Sequence, residues 1–401
     1  EEAMASDQVI WSEQGRLHVS ASGAFADAAG LAADTITAVG HSVRVNDTVV
    51  LNQVSVGTLK CFVTAVTADT YTCFPYTQAT MDASGGTAIT FLAGTAVTGF
   101  VYGSEYKKGT NGRAESLEPS FASLTNKPAI IKDLYEVSGS DASQIGWIEV
   151  SGEEGQNGYL WYLKASGDTM SRFSDYCEMT CIEGELTAAG AGTIGDLGAL
   201  SGTEGLFAAV ENRGNVTTGG FATASDSLAT FDLILKRFDT QGAIEENMMF
   251  LNRTNSLAID DMLAAQNSYG ADGTSYGVFN NEEEMALNLG FSGFRRGSYD
   301  FYKSDWKYLN DATTRGAFAD INGIVVPAGV SSVYDQVLGK NMKRPFLHVR
   351  YRASQTESRK MKTWVTGSVG AVSSSLDAME VNYLSERCLV TQGANNFMLL
   401  K

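Results

Sequence analysis

The 401-residue chain has only 5 prolines and 3 histidines, and its 5 cysteines are scattered over the whole length. So few prolines leave no Pro-rich linker to hold domains rigidly apart. His18, His41 and His348 stand alone, with no HExxH and no acidic partner at a ligand spacing. Neither a catalytic triad nor a metal centre can be assembled from such a set, so no catalytic, cofactor-binding or metal-ligating residue is assigned. Cys61, Cys73, Cys177, Cys181 and Cys388 contain no CxxC, which argues against a zinc ribbon or a stapled secreted domain. Cations are scarce too: 29 Lys+Arg against 46 Asp+Glu give a formal net charge of −17. A polyanion binder needs a basic surface, so nucleic-acid recognition is disfavoured. No apolar run approaches a bilayer span and no signal-like stretch opens the chain, which reads as a soluble protein without a membrane partner.

What the chain does have is 44% hydrophobic residues, 10% aromatics and 42 glycines. That is enough apolar material for a sizeable core, in one to three domains, and it excludes general disorder. The glycines imply many tight turns and close backbone approaches.

The opening EEAMASDQVIW is polar and patternless, and Glu13 to about Asp34 is small and Ala/Gly/Ser-rich. This predicts an extended arm, the alternative being a disordered terminus. From Thr35 to about Thr90, short β-branched runs alternate with Asn/Asp/Gly turns, as in Ser42–Val45, Thr48–Leu51, Leu59–Val66 and Tyr71–Phe74. Such spacing predicts a small antiparallel β module. Cys61 and Cys73 sit where they could face each other across a hairpin, although a long chain with a real core has little need of a disulfide. Gly94 to Pro128 reads as a Gly-rich ribbon with charges of both signs, facing solvent or a partner subunit. Lys107 and Lys108 on it lack the GxxxxGK[ST] spacing of a phosphate clamp.

A helix is predicted from near Gln156, with Tyr159, Leu160, Leu163, Met170, Phe173, Cys177 and Cys181 on one face and a kink or break at Gly167. The same periodicity makes Cys177 and Cys181 small core residues, against the sharper reading of a redox pair. Gly190, Gly192 and Gly195 match GxGxxG, but no strand precedes them and no helix follows, so they read as a flexible connection. Asp226 is a candidate N-cap for a helix carrying Leu228, Phe231, Leu235 and Phe238. Met248–Leu251 reads as a buried strand. Asn255 or Thr254 then caps a helix with Ile259, Met262, Leu263 and Gln266 on one side. Asp260 and Asp261 point about 100° apart on that helix, so they read as a solvated face, not a metal site. Further strands are predicted at Ser298–Tyr302, Gly323–Val326, Phe346–Tyr351 and within Asp377–Leu400. Arg295–Arg296, beside the aromatic run FSGF, suggest an acidic neighbour, foremost another copy of the chain.

Five phrases carry a family resemblance: Ile130–Trp147, Tyr159–Gly184, Gln241–Gly270, Arg344–Ser354 and Leu376–Phe397. Together they resemble the major capsid proteins of tailed double-stranded DNA bacteriophages, the Hong Kong 97-type fold, with local phrasing similar to the crAss-like phages. The resemblance implies an α+β chain divided into an N-terminal arm (1–34) and an extended loop carrying an inserted β module (35–127). A peripheral domain with a long spine helix (128–200), an axial domain (201–375) and a returning peripheral strand (376–401) follow. It implies no enzyme, no cofactor, and assembly in the host cytoplasm into hexamers and pentamers of an icosahedral virion shell. Portal and auxiliary or decoration proteins would be partners, and packaged DNA would be enclosed without sequence-specific contacts. Lys107, Lys108, Arg113, Arg295 and Arg296 are the candidate inter-subunit contacts. Glu1, which is not a translational start, is the possible end left by a maturation protease, unless preceding residues are simply omitted from the numbering. A β-rich surface adhesin or carbohydrate-binding protein is the reading from another class, motivated by the Tyr/Asn-rich stretch Tyr269–Phe301.

Overall fold

A computed structural model describes the chain except residues 16–17, 28–33, 83–88, 114–115, 118–120, 145–159, 188–200, 220, 222–223, 243, 268–292, 336–339 and 369–371. Two compact units result: Ser12–Ser123, and Glu1–Trp11 together with Leu124–Lys401. Both α and β elements are present, strands predominating. No helix among the described residues is long and apolar enough to cross a membrane.

The chain opens with strands β1 (Glu2–Met4) and β2 (Val9–Gln14). Six strands then close a barrel: β3 (Ser20–Ala26), β4 (Asp34–Thr37), β5 (Asp47–Gln53), β6 (Gly57–Val66), β7 (Thr70–Pro75) and β8 (Ala96–Ser104), in the order β3-β4-β7-β6-β5-β8. Closure leaves no unpaired edge, which suits a unit this small. Alternation sends Phe25, Ile36, Val49, Leu51, Cys61 and Tyr71 inward, and Phe91 caps the core edge-on to Phe25 at 5.9 Å. Two glutamine amides substitute for strand pairing at the loops. Gln53 donates to the Leu92 carbonyl and accepts from its N–H, and Gln78 does the same with Ile89.

This barrel corrects two expectations. Ser20–Ala26, expected within the arm, supplies a wall of the barrel, because Ala21 and Phe25 give it an inward apolar face that its small neighbours conceal in the sequence. The glycine-rich ribbon likewise begins only after Ser104. Residues 96–104 are the closing strand, and Gly99 has no side chain because a Cβ there would lie 2.6 Å from the Leu51 side chain.

Strand β9 (Phe121–Asn126) pairs with β2. There follow β10 (Ala129–Ser138), α1 (Gly139–Gln144), α2 (Leu160–Glu183), α3 (Leu206–Arg213), β11 (Asn215–Thr217), α4 (Ala224–Gln241), β12 (Glu246–Leu251) and α5 (Arg253–Asn267). After these come β13 (Gly293–Arg296), β14 (Tyr299–Asp305), β15 (Gly323–Pro327), β16 (Val330–Asp335), β17 (Lys340–Pro345) and β18 (Leu347–Arg352). The chain ends with β19 (Lys362–Gly367), β20 (Val372–Ser373), β21 (Ala378–Thr391) and β22 (Met398–Leu400).

The 14-residue β21 organises one sheet. One edge pairs with β10 over its first ten residues, and the other is shared between β19 and β18. β1 extends this sheet parallel to β18. Helix α2 lies across its face, with Phe173 and Cys177 against Val381 and Tyr383, and the Phe173 and Tyr383 rings 5.8 Å apart. At the end of β19, Gly367 has φ +119, and a Cβ there would fall 1.9 Å from the Ala378 carbonyl. Only glycine lets the two strands approach there.

The second sheet runs β11-β22-β15-β12-β14-β13, with β16 and β17 a separate hairpin. Apolar stripes of α4 and α5 cover it: Phe231, Ile234 and Phe238 from one helix, Ile259 and Met262 from the other, meeting Met249, Leu251 and Phe301. Phe231 and Phe301 pack edge-on at 5.0 Å.

Several local readings change. Helix α2 starts at Leu160 and runs unbroken through Gly167, since the surrounding turns supply its hydrogen bonds and the missing side chain faces open space. Met170 is exposed, not part of the stripe. Thr169 takes the buried place, its hydroxyl donating to the Ala165 carbonyl at 2.9 Å. Helix α4 starts at Ala224, ahead of Asp226. The N-cap of α5 is Asn252, whose Oδ1 accepts the Asn255 N–H at 2.8 Å, so Thr254 and Asn255 belong to the first turn. Asn255 itself is buried and accepts the Phe221 N–H at 2.7 Å. Residues 347–367, expected in the axial domain, supply β18 and β19 to the sheet of β10 and β21. Met398–Leu400, expected with the returning peripheral strand of 376–401, pairs with β15 and β11 of the second sheet. The GxGxxG stretch lies outside the described residues, as does most of Tyr269–Phe301.

Candidate functional site

The opening residues are a fastened strand, not a patternless arm. β1 places Glu2 between two guanidiniums, with Arg344 Nε at 3.0 Å and Arg350 at 2.7 Å, while Arg352 reaches Asp7 at 2.5 Å. Glu1 pairs with Lys360, which holds the Glu1 carboxyl below its ordinary range and the Lys360 ammonium above its own. Met4, Val9 and Trp11 are buried against Cys388 and Val390, and the Arg213 guanidinium sits 5.6 Å from the Trp11 ring centroid. The partners of these acids lie more than 340 residues away, so nothing local in the sequence reveals the attachment.

His348 lies on β18, the strand that β1 pairs with. Its Nδ1 donates to the Pro345 carbonyl at 3.1 Å, and its buried Nε2 has no partner among the described residues. Burial, with the Arg350 and Arg344 charges nearby, lowers its pKa despite the opposing pull of Glu2.

The candidate contacts divide. Arg113 turns inward: it pairs with the buried carboxylate of Asp47, and its Nε donates to the Tyr106 hydroxyl at 3.1 Å. Arg44 approaches the same carboxylate at 3.9 Å, and the Arg44 N–H donates to it at 2.8 Å. The Asp47 carboxylate thereby anchors two guanidiniums at one end of the barrel. A cavity of about 510 Å³ opens there, and Lys107 lines it beside Arg44 and Arg113. Lys108 is exposed and has no ion pair among the described residues. Arg296 bonds Asp232 on α4 at 2.6 Å, and Arg295 is 3.6 Å from Asp300 while remaining mostly exposed. The acidic neighbour expected for this pair is thus present within the chain itself.

Of the two carboxylates read as a solvated face, Asp261 is exposed but Asp260 is buried and meets Lys303. Sequence reasoning also passed over Asp27, Asp34 and Asp82, which offer oxygens within 4.8 Å of one another. Asp27 and Asp34 flank the connection between β3 and β4, but Asp82 lies far along the chain, and the three lie on no recognisable spacing. Asp34 is fully buried, and its carboxylate accepts the Met81 N–H at 2.6 Å.

All five cysteines are free and buried. Cys61 and Cys73 are neighbours inside the barrel, and a hydrogen bond between them, with burial, raises the Cys73 pKa. Burial pushes Cys181 up to about 11 and Cys388 up to about 12, and raises Cys177 as well. Thiols so raised carry almost no thiolate at neutral pH and pack as small apolar groups.

Neither a family model nor a curated protein matches the sequence. Solved structures similar to this chain include the capsid structure of cyanophage P-SCSP1u, at 9% identity over 74% of this chain and 79% of that one, with a TM-score of 0.36. The asymmetric unit of the bacteriophage PhiM1 mature capsid is similar at 10% identity, covering 74% and 77% of the two chains, with a TM-score of 0.37. A structure from Mycobacterium phage Bobi is similar at 10% identity, covering 74% and 79%, with a TM-score of 0.37.

Proposed function

We propose that this chain is a major capsid protein: a structural subunit, not an enzyme, that assembles with its own copies into hexamers and pentamers of a Hong Kong 97-type bacteriophage shell. One observation carries the reading. Four of the phrases that resemble phage capsid proteins build a single architectural unit: β10, α2, β18 and β21 come from Ile130–Trp147, Tyr159–Gly184, Arg344–Ser354 and Leu376–Phe397. These are the long helix and the sheet it crosses, which would be the spine helix and peripheral domain. The fifth phrase supplies β12 and α5 of the second sheet, in the proposed axial domain.

The physics of a container is compatible with this composition. A net charge of −17 avoids gluing an enclosed polyanion to the wall. Packaged DNA would be confined, not recognised. Portal and auxiliary proteins would be further partners, and the virion the final location. Among the candidate contacts, Lys108 and Arg295 reach into solvent and suit an adjacent copy, whereas Arg113 and Arg296 are engaged internally.

Electron microscopy of the purified chain tests the proposal. Closed shells or hexameric capsomers are expected. A chain that stays monomeric under conditions where its fold is intact, at concentrations well above those in an infected cell, would overturn it.

A further inference from the structure

Strand β10 runs along β21 for ten residues without a register shift, from Ala129 opposite Arg387 to Ser138 opposite Ala378. No described strand pairs with its other edge. Long edge strands are usually blunted by proline, by a bulge or by cover. The sequence AIIKDLYEVS has no proline, and its pairing with β21 has no bulge. Ile131 and Tyr135 turn toward α2, whereas Ile130, Lys132, Leu134 and Glu136 point to the opposite face and are all exposed. Ile130 and Leu134 stay 56% and 44% accessible, more than apolar side chains in a finished sheet should be.

The charges on this face are mismatched within the chain. Glu136 stands directly opposite Glu380 on β21, and Lys132 stands opposite Leu384. Like charges directly opposed destabilise a sheet, so Glu136 gains from a cation arriving on its open side. Neither Lys132 nor Glu136 has an ion pair among the described residues. A second β10 supplies both missing partners. Antiparallel pairing about a two-fold axis normal to the sheet keeps equivalent faces together, so each residue meets one of its own parity. Centred on Leu134, that pairing sets Lys132 against Glu136 of the second copy, and Glu136 against its Lys132. Leu134 then meets its own equivalent, and Ile131 meets Val137. Centring on Lys132, Asp133 or Glu136 instead opposes like charges at the axis. Centring on Tyr135 puts Lys132 opposite Ser138 and leaves Glu136 without a cation.

We propose that β10 docks antiparallel on β10 of a second copy of this chain, in the register centred on Leu134, joining two sheets across a two-fold axis. Backbone hydrogen bonds along the edge supply affinity, and the two Lys132–Glu136 pairs fix the register. The inference rests on the reading of the chain as a self-assembling subunit and names one of its contacts.

Sedimentation of the full chain over a concentration series tests this, with circular dichroism to establish that each variant is folded. Lys132→Glu and Glu136→Lys alone each oppose like charges at both symmetric positions. Each should raise the concentration needed for association roughly tenfold. The double variant Lys132→Glu/Glu136→Lys should associate like the original chain. An equimolar mixture of the two single variants should do so too, since every charge then faces its opposite. Leu134→Cys should crosslink to its own equivalent under oxidised glutathione, because directly opposed Cα atoms about 4.5–5.5 Å apart lie within disulfide reach. Lys132→Cys alone should not, being opposite position 136. Unchanged association in the folded single variants, or a mixture that fails to recover, overturns the proposal. If shells form in either of those cases, the capsid reading stands without this contact. Crosslinked, charge-rescued dimers that never form shells keep this contact and defeat the capsid reading. A chain that stays monomeric throughout overturns both.

Discussion

Lys303 on β14 donates to Asp260 on α5 at 2.5 Å, with both side chains about nine-tenths removed from solvent. The same ammonium also donates to the Ser256 carbonyl at 3.2 Å, so the charge is hydrogen-bonded twice. Such a pair, placed between a helix and the strand it covers, is costly to break from one side. Asp260→Leu or Lys303→Met alone should each destabilise the chain by about 3–5 kcal/mol, because a buried charge is left behind. The double variant Asp260→Leu/Lys303→Met should recover most of that loss. Chemical denaturation of the three variants forms the cycle, and additive losses would show that the two side chains do not interact.

Phe173 anchors α2 to the sheet beneath it. It is fully buried against Tyr383, Val381 and Cys177. Phe173→Ala should cost about 3–5 kcal/mol unless the site collapses. An unchanged melting temperature would mean that the helix is held by other contacts.

Gly167 offers the opposite change. It lies in the continuous helix α2, and an added Cβ meets nothing within 4 Å. Gly167→Ala should therefore stabilise the chain by about 0.5–1 kcal/mol, mostly by restricting the unfolded backbone. A loss of stability would show that the turn around it is not helical in solution.

The N-terminal strand should respond to pH in two steps. Burial lowers the His348 pKa from its ordinary 6.5, so the folded chain favours the neutral ring. The unfolded chain then binds more protons as pH falls, and the His348 contribution is complete above 6.5 and lost as pH drops through the folded pKa. Glu1 is held below its ordinary 4.5 by Lys360, so its contribution is complete above 4.5 and lost only at lower pH. His348→Gln should abolish the first step and leave the second. Denaturation midpoints measured across this range check it, and a first step that persists in the variant would place its origin elsewhere.

A thiol reagent should find no target in the native chain. All five cysteines are buried, and four have raised pKa values. Fast labelling of even one thiol without denaturant would mean that a core opens readily.

Periodicity made much of the local structure legible. The stripe of Phe231 and Phe238, the strand Met248–Leu251 and the alternation of Thr48–Leu51 are each dictated by which neighbours are apolar, since a helix repeats every 3.6 residues and a strand every two. The scarcity of histidine and the scattering of cysteine were equally plain. What the sequence could not display is any relation whose partners are remote. Ser20–Ala26 looks like a polar arm until β4 and β8 supply the walls that bury Phe25. Asp260 looks like its exposed neighbour Asp261 until Lys303 arrives from β14 to pair with it. Glu2 finds Arg344 and Arg350, Arg113 finds Asp47, and Asp82 finds Asp27 and Asp34 only because distant strands come together. An apolar side chain carries its preference for burial wherever it stands. The role of a charged side chain depends on what lies within a few ångströms, because burial without a partner is prohibitive and exposure costs nothing. Tertiary structure alone decides which of those two a given charge meets.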